Sequence, residues 1–261
     1  ANIAVNPGSA EVCNNIDDNC NAVTDEPVKI YSYTSNTSGT PAIVSANATA
    51  SNLIRVNTAA AATGGAACPT GFTSKNFTAT TVFSNTLPAV EFTLTPASGY
   101  KIEAQSFTVE LRRNNTGPAT TRLAYSIDGG TNWIDQGLNK TLSNTSCGTM
   151  SVASWDFIDF FSQQPVKFRI YGFNASNTTG VLQVLNANLN GRVCNIADSD
   201  GDGFDVALDC NDNNPFVNPN ATEICNTIDD DCDTQIDENV KSTFYADSDN
   251  DSYGNLSVTI L

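Results

Sequence analysis

The constraint that narrows this chain's architecture most is that it repeats itself. Val5 to Lys29, VNPGSAEVCNNIDDNCNAVTDEPVK, aligns without a gap to Val217 to Lys241, VNPNATEICNTIDDDCDTQIDENVK. A second echo pairs DSDGDG, from Asp198, with DSDNDS, from Asp247. Self-similarity of this kind is the mark of an array. Joining Leu261 to another Ala1 would set Asp247 as far from the next Cys13 as Asp198 is from Cys225. The chain therefore reads as one period of a head-to-tail array, cut inside an acidic module.

Charge divides the chain in the same places. Residues 1–27 carry 5 acidic and no basic side chains, and residues 194–261 carry 16 acidic and one basic, out of a net charge of -16. At that density the carboxylates repel one another unless cations neutralise them, the first physical pointer to bound metal. The same net charge disfavours nucleic acid and anionic lipid as partners. No stretch approaches the roughly 20 apolar residues of a membrane span, and Ala1 to Gly8 lacks the parts of a signal peptide, so a mature or excised segment is expected. Eight cysteines without a Cys-x-x-Cys pair, together with no histidine, point to disulfides formed outside a reducing cytosol. The expected location is extracellular or at the cell surface.

Between the acidic ends the pattern changes to strands. Val90, Phe92 and Leu94 alternate with polar residues, as do Phe107, Val109 and Leu111, then Phe168 and Ile170, then Leu185, Ala187 and Leu189. Turn signals at 96–99, 114–118 and 128–130 punctuate them. The expected fold class is all-β: a β-sandwich or jelly roll over 28–193, with small, irregular, disulfide-tied calcium-binding modules at both ends. Residues 1–27 then form the C-terminal half of one acidic repeat and 194–241 a complete one. Residues 242–261 either start the next repeat or are donated as a strand to a neighbouring subunit.

The acidic modules contain loops of calcium type. Asp198, Asp200, Asp202, Gly203 and Asp209 occupy positions 1, 3, 5, 6 and 12 of D-x-D-x-D-G-x5-D, and Phe204 at position 7 offers its carbonyl. An EF-hand closes with Glu and continues as a helix; here Cys-Asn-Asp-Asn-Asn-Pro follows Asp209, which excludes that frame. A shorter pattern is Asp229, Asp231 and Asp233 followed by Asp237 and Glu238, with its N-terminal copy at Asp17, Asn19, Asn21, Asp25 and Glu26. A third, Asp247, Asp249 and Asp251, has no closing acid of its own.

Cysteines frame these loops. Cys13 and Cys20, and equivalently Cys225 and Cys232, bracket a turn opening with Asn-Pro, where a single helical turn is expected. That leaves Cys194 and Cys210 to close the first loop, one of three connectivities open to four cysteines. Cys68 and Cys147 are expected to pair across the sandwich.

The stretch DSDGDGFDVALDCNDNNPFVNPNATEICNTIDDDCDTQIDE resembles the MopE-type metal-binding repeat of secreted bacterial proteins, itself similar in style to thrombospondin type 3 calcium repeats. The motif is met at Asp198 to Asp202, Asp209 to Asp212, Pro219, Glu223, Cys225, Asp229 to Asp233, Asp237 and Glu238, which brings Asp212 into the expected ligand set. Asn220 and Thr234 stand where the motif has glycine. Copper is linked with the family's name but wants soft or imidazole ligands, and this chain has no histidine, so calcium, several ions of it, is the expected metal. The middle region, with its LAYSIDGGTNW hairpin at 123–133, resembles β-sandwich domains of large secreted bacterial proteins.

Other chemistries find little footing. Without histidine a Ser-His-Asp arrangement is impossible. Asp156 and Asp159 form the one acid pair that invites a glycosidase reading, and Ser126 to Trp133 matches a single Asp-box, where a propeller needs several. The expectation is not an enzyme but a calcium-stabilised structural repeat of an extracellular filament, sheath or adhesin stalk, partnered by copies of itself. The alternative is a carbohydrate-binding module with calcium-binding linkers, its surface glycans held by Trp133, Trp155, Tyr100 or Tyr171.

Overall fold

A computed structural model describes Cys20 and residues 27–62, 71–143, 150–206, 208–240, 244–245 and 259–260. Among them there is no helix. In chain order the strands are β1 (Val28–Thr34), β2 (Ile43–Val44), β3 (Ala48–Ala50), β4 (Ile54–Val56), β5 (Ala60–Ala61), β6 (Phe72–Lys75), β7 (Ala89–Pro96), β8 (Tyr100–Arg113), β9 (Pro118–Ser126), β10 (Ile134–Asp135), β11 (Lys140–Thr141), β12 (Ser151–Ser162), β13 (Val166–Ala175), β14 (Leu182–Asn195), β15 (Phe244–Tyr245) and β16 (Thr259–Ile260). Chain contacts divide the protein into two compact units, Ala1–Asn195 and Ile196–Leu261.

The first unit is built on two antiparallel sheets. One runs β12-β8-β14-β1-β2, with β6 on β14 and β5 on β6; the other runs β10-β9-β13-β7-β3, with β11 on β9 and β4 on β7. The alternating residues picked out from the sequence turn one way: Val90, Phe92, Leu94, Phe107, Val109, Leu111, Phe168, Ile170, Ala187 and Leu189 are all fully buried. They meet in one core drawn from both sheets. Its centre is aromatic. Tyr31 stacks on Phe92 at 4.1 Å, Phe92 on Phe168 at 5.0 Å, and Tyr125 meets Phe160 edge-on at 4.5 Å. Each such ring contributes about 1.5–3 kcal/mol by leaving water, so this unit has ample apolar driving force of its own.

The two outer faces differ. On the second sheet a smaller cluster of Leu87, Ala89, Ala124, Tyr171 and Phe173, with Phe83 and Trp133 packed against it, covers the outer surface. On the first sheet the outer residues of β14 are Asn186, Asn188, Asn190 and Arg192, all half-buried. Here the sheet is bent. β12 shifts register between Asp156 and Phe160, and β14 between Asn190 and Gly191, both opposite the Ala104–Ser106 stretch of β8. Gly191 permits this close approach, because a Cβ there would lie 2.0 Å from the Glu103 carbonyl oxygen.

The second unit is put together differently. Among its described residues Val217 is the one buried hydrophobic side chain, while Leu208, Phe216, Ile224, Ile228 and Ile236 are exposed. What it buries instead are carboxylates and amides: Asp209, Asp212, Asn218, Glu223, Asp230 and Asp237. The helical turn expected at Asn218-Pro219 is a hydrogen-bonded turn. Ala221 N–H donates to the Asn218 carbonyl at 2.8 Å and Asn220 N–H to Asn218 Oδ1 at 3.0 Å, so the asparagine side chain satisfies the amide that a further helical turn would have used.

Candidate metal centre

Loop one begins at Asp198, whose two oxygens accept from Gly201 N–H at 2.7 Å and Gly203 N–H at 3.1 Å. Each later acid accepts from the backbone amide two residues on. Asp200 Oδ1 accepts from Asp202 N–H (3.3 Å), Asp202 Oδ1 from Phe204 N–H (2.9 Å) and Asp209 Oδ1 from Asn211 N–H (2.7 Å). Gly203, at φ +99, makes the turn that these bonds require. The bonds use one oxygen of each acid and leave the other. Asp200 Oδ2, Asp202 Oδ2 and Asp209 Oδ2 are all buried without a hydrogen-bond partner, and carboxylate oxygens of these three residues lie within 4.8 Å of one another. Asp209 is only 6% exposed. Asp212 completes the loop from the far side: it accepts from Ser199 N–H (2.9 Å) and Ser199 Oγ–H (2.7 Å), and groups with Asp198 and Asp200.

Loop two repeats that wiring. Asp229 accepts from Asp233 N–H (3.1 Å) and Thr234 N–H (2.9 Å), Asp231 from Asp233 N–H (3.3 Å) and Asp233 from Gln235 N–H (2.8 Å). Thr234 sits where loop one has Gly203 and is held at φ +75, a left-handed conformation that costs a side chain about 1–2 kcal/mol. Asp231, Asp233 and Glu238 form one group of neighbouring oxygens, and Glu223, Asp229 and Asp231 another. Glu238 Oε2 is buried and unpaired, as in loop one.

Two acids play parts that spacing alone did not assign. Glu223, 6% exposed, accepts from Asp230 N–H (2.6 Å), Asp231 N–H (3.0 Å) and Asp237 N–H (2.8 Å), so it both shapes loop two and stands among its candidate ligands. Its repetition at Glu11 was the available signal. Asp237, expected as a ligand, accepts from Asn226 N–H (2.8 Å) and Thr227 N–H (3.0 Å) and joins no ligand group among the described residues. Asp230 likewise braces Ile224 N–H and the Asn226 side chain.

The cysteine pairing departs from the expected one. Cys210 is bonded to Cys232, with Cα atoms 5.7 Å apart, not to Cys194; Cys194 is disulfide-bonded as well, and Cys225 and Cys20 are free and exposed. The reason lies in the turn between them. Glu223 and Asp230 fold Cys225 outward while Cys232, in loop two, faces the end of loop one, where Cys210 N–H donates to its sulfur at 3.2 Å. Cys13, Cys68, Cys147, Asp17, Asn19, Asn21, Asp25, Glu26, Asp247, Asp249 and Asp251 lie outside the described residues.

The electrostatics follow from the crowding. Desolvation first, and neighbouring carboxylates after it, raise Asp200, Asp231 and Glu238 above the ordinary carboxylate range; Asp209 is raised from the same leading cause. The donors are hard oxygens, and the two sulfurs grouped with Asp209, those of Cys210 and Cys232, are joined to each other, a set that fits a hard cation. Asp198, Asp200, Asp202, Asp209 and Asp212 would hold one ion, and Glu223, Asp229, Asp231, Asp233 and Glu238 another.

The single Asp-box and part of the aromatic set can be placed as well. Asp128, at the head of the single Asp-box, accepts from Thr131 N–H, Asn132 N–H and the Ser126 hydroxyl; the first cause, Asn132 N–H, and these others lower it to about 2. Trp133 donates its indole N–H to Gly130, and Arg169 lies 3.8 Å over its ring. The box is a braced hairpin turn. Of the proposed sugar platform, Trp155 and Tyr171 are core residues.

The copper-binding MopE family model, described as a "Putative metal-binding motif", matches residues 1–26 and 209–238. No curated protein matches the chain. Among solved structures, a family 29 carbohydrate-binding module from Piromyces equi is similar over 64% of this chain and 91% of its own, with a TM-score of 0.36 and 6% identity. The two stretches that repeat each other are thus the two that carry the MopE-type metal-binding motif.

Proposed function

We propose that this protein is an extracellular structural module whose acidic repeat is folded by calcium, and that its sandwich is one bead of a head-to-tail filament, sheath or adhesin stalk. One observation carries the metal: Asp200, Asp202 and Asp209 bring carboxylate oxygens within 4.8 Å of one another, and each keeps a buried oxygen without a partner while its other carboxylate oxygen accepts from the backbone. Uncompensated carboxylates in that setting are costly, and a divalent cation is what removes the cost. The Phe204 carbonyl adds a further oxygen at position 7 of the loop. Repetition of the module on either side of the sandwich supports the array, and the reading assigns the chain no catalytic role.

Calorimetric titration of the 261-residue chain tests the metal. Calcium is expected to bind at more than one site, with magnesium weaker and copper no better than to an unfolded peptide. Absence of calcium binding up to millimolar concentration defeats the proposal. Electron microscopy of the same sample with and without chelator tests the assembly, for which ordered fibres or rods lost on chelation are the expected result.

A further inference from the structure

The bend in the first sheet opens a concavity of about 750 Å³ on its outer face. Its wall carries Phe161, which is 64% exposed and pairs with Glu103 just past the register shift of β12. Val152, 63% exposed further along the same outer face of β12, adds a second apolar group to this surface, and a ring at the wall of a concavity is placed to stack on a ligand. Around it the polar groups are already held in place. Arg192 Nη2 lies 2.7 Å from Glu103 Oε2, and Lys101 Nζ lies 3.4 Å from Glu103 Oε1. Asn190 donates to Ser106 Oγ at 3.2 Å, and Asp156 is exposed at the rim.

These features select a ligand class. The charged groups of the lining are Glu103, Asp156 and Arg192, with Lys101 and Arg192 both on Glu103, so the groove offers donors and acceptors and no cationic excess to hold a polyanion. A peptide strand adding to the edge strand β12 would need an unbroken ladder, and β12 is irregular at this point, between Asp156 and Phe160. A lipid surface would need more than one exposed ring. A neutral sugar ring has one apolar C–H face to lie on an aromatic side chain and equatorial hydroxyls to bridge fixed donor and acceptor pairs. We propose that the outer face of β12, β8 and β14 is a binding groove for a neutral polysaccharide, with Phe161 as the stacking residue and Asp156, Glu103 and Arg192 as hydroxyl partners. This site is separate from the metal centre and draws nothing from it.

The test is isothermal titration of the whole chain with cello-, xylo-, manno- and chitohexaose, using hexagalacturonate as the anionic comparison. At least one neutral hexaose is expected to bind. Phe161→Ala and Asp156→Ala, both at exposed positions, are each expected to weaken it at least about tenfold. Phe216→Ala, which removes a ring 80% exposed in the other unit, should leave it unchanged, and so should chelator. Failure of all four neutral hexaoses, binding of the galacturonate alone, or binding that survives both groove variants overturns the proposal. Loss of metal binding would leave it standing.

Discussion

Replacing Asp209 by asparagine separates a metal ligand from a structural acid. The isosteric amide keeps an oxygen to accept from Asn211 N–H, now supplied by Asp209 Oδ1 at 2.7 Å, and removes charge only from the side chain whose other oxygen is unpaired. In calcium at about a hundred times its dissociation constant, a site stabilises the folded state by about 2.7 kcal/mol; tenfold weaker binding leaves about 1.4 kcal/mol. Asp209→Asn should therefore lower the protection of the loop amides by about tenfold in calcium. In chelator the sign reverses or the effect vanishes, because the variant takes one like charge out of a crowded cluster. Hydrogen exchange of the Gly203 and Asn211 amides reads both conditions. An equal loss in calcium and in chelator would refute the reasoning, since Asp209 would then be acting only through its hydrogen bond.

Three further outcomes are expected. Thr234→Gly relieves the φ of +75 and should stabilise loop two by about 1 kcal/mol, read as a rise in calcium affinity or in the protection of Gln235. Gly191→Ala places a methyl 2.0 Å from the Glu103 carbonyl oxygen and should cost the sandwich about 1–3 kcal/mol in chemical denaturation, with no change in calcium binding. The raised carboxylates at Asp200, Asp209, Asp231 and Glu238 take up protons more readily folded than unfolded. Without metal, then, the module gains stability as pH falls from 7 through their raised values, whereas with calcium protons compete for the ligands and stability falls. Opposite slopes of exchange protection between pH 7 and about 5, with and without chelator, are the expected signature.

What the sequence disclosed depended on whether a pattern was local. Alternation at Val90 to Leu94 or Phe168 to Ile170 exposes a buried strand face because side chains reverse at every residue. Likewise D-x-D-x-D-G at Asp198 reports its own loop, since each carboxylate bonds a backbone amide within five residues. Pairing Cys210 with Cys232 is not local. It follows from how two loops lie against each other, which Glu223 and Asp230 decide by gathering amides from residues 224 to 237. The same limit hid the difference between Asp237 and Glu238: adjacent acids, of which one turns in to hold Asn226 and Thr227 and the other keeps a bare oxygen beside Asp231. The bent outer face was invisible for a related reason. A register shift between Asn190 and Gly191 leaves no periodicity to read, and Phe161 looks like one more apolar residue in a run of them.

The disulfide bears on the metal reading in a way that neither loop does alone. Cys210 directly follows Asp209, the acid that closes loop one, and Cys232 stands between Asp231 and Asp233, two acids of loop two. The bond therefore ties the ligands of one site to those of the other through a single residue on each side. It also closes a loop with a sequence separation of 22, which limits the unfolded chain by about 3 kcal/mol. That matters in a unit whose described residues bury one hydrophobic side chain, Val217, because those residues form no apolar core to transmit order from loop to loop. On the proposed reading, an ion that fixes Asp209 also fixes Cys210, hence Cys232, hence the acids on either side of it, so part of the ordering cost of the second site is already met when the first is filled. On the same reading the sandwich, which has an aromatic core of its own, is expected to keep its unfolding transition when calcium is removed.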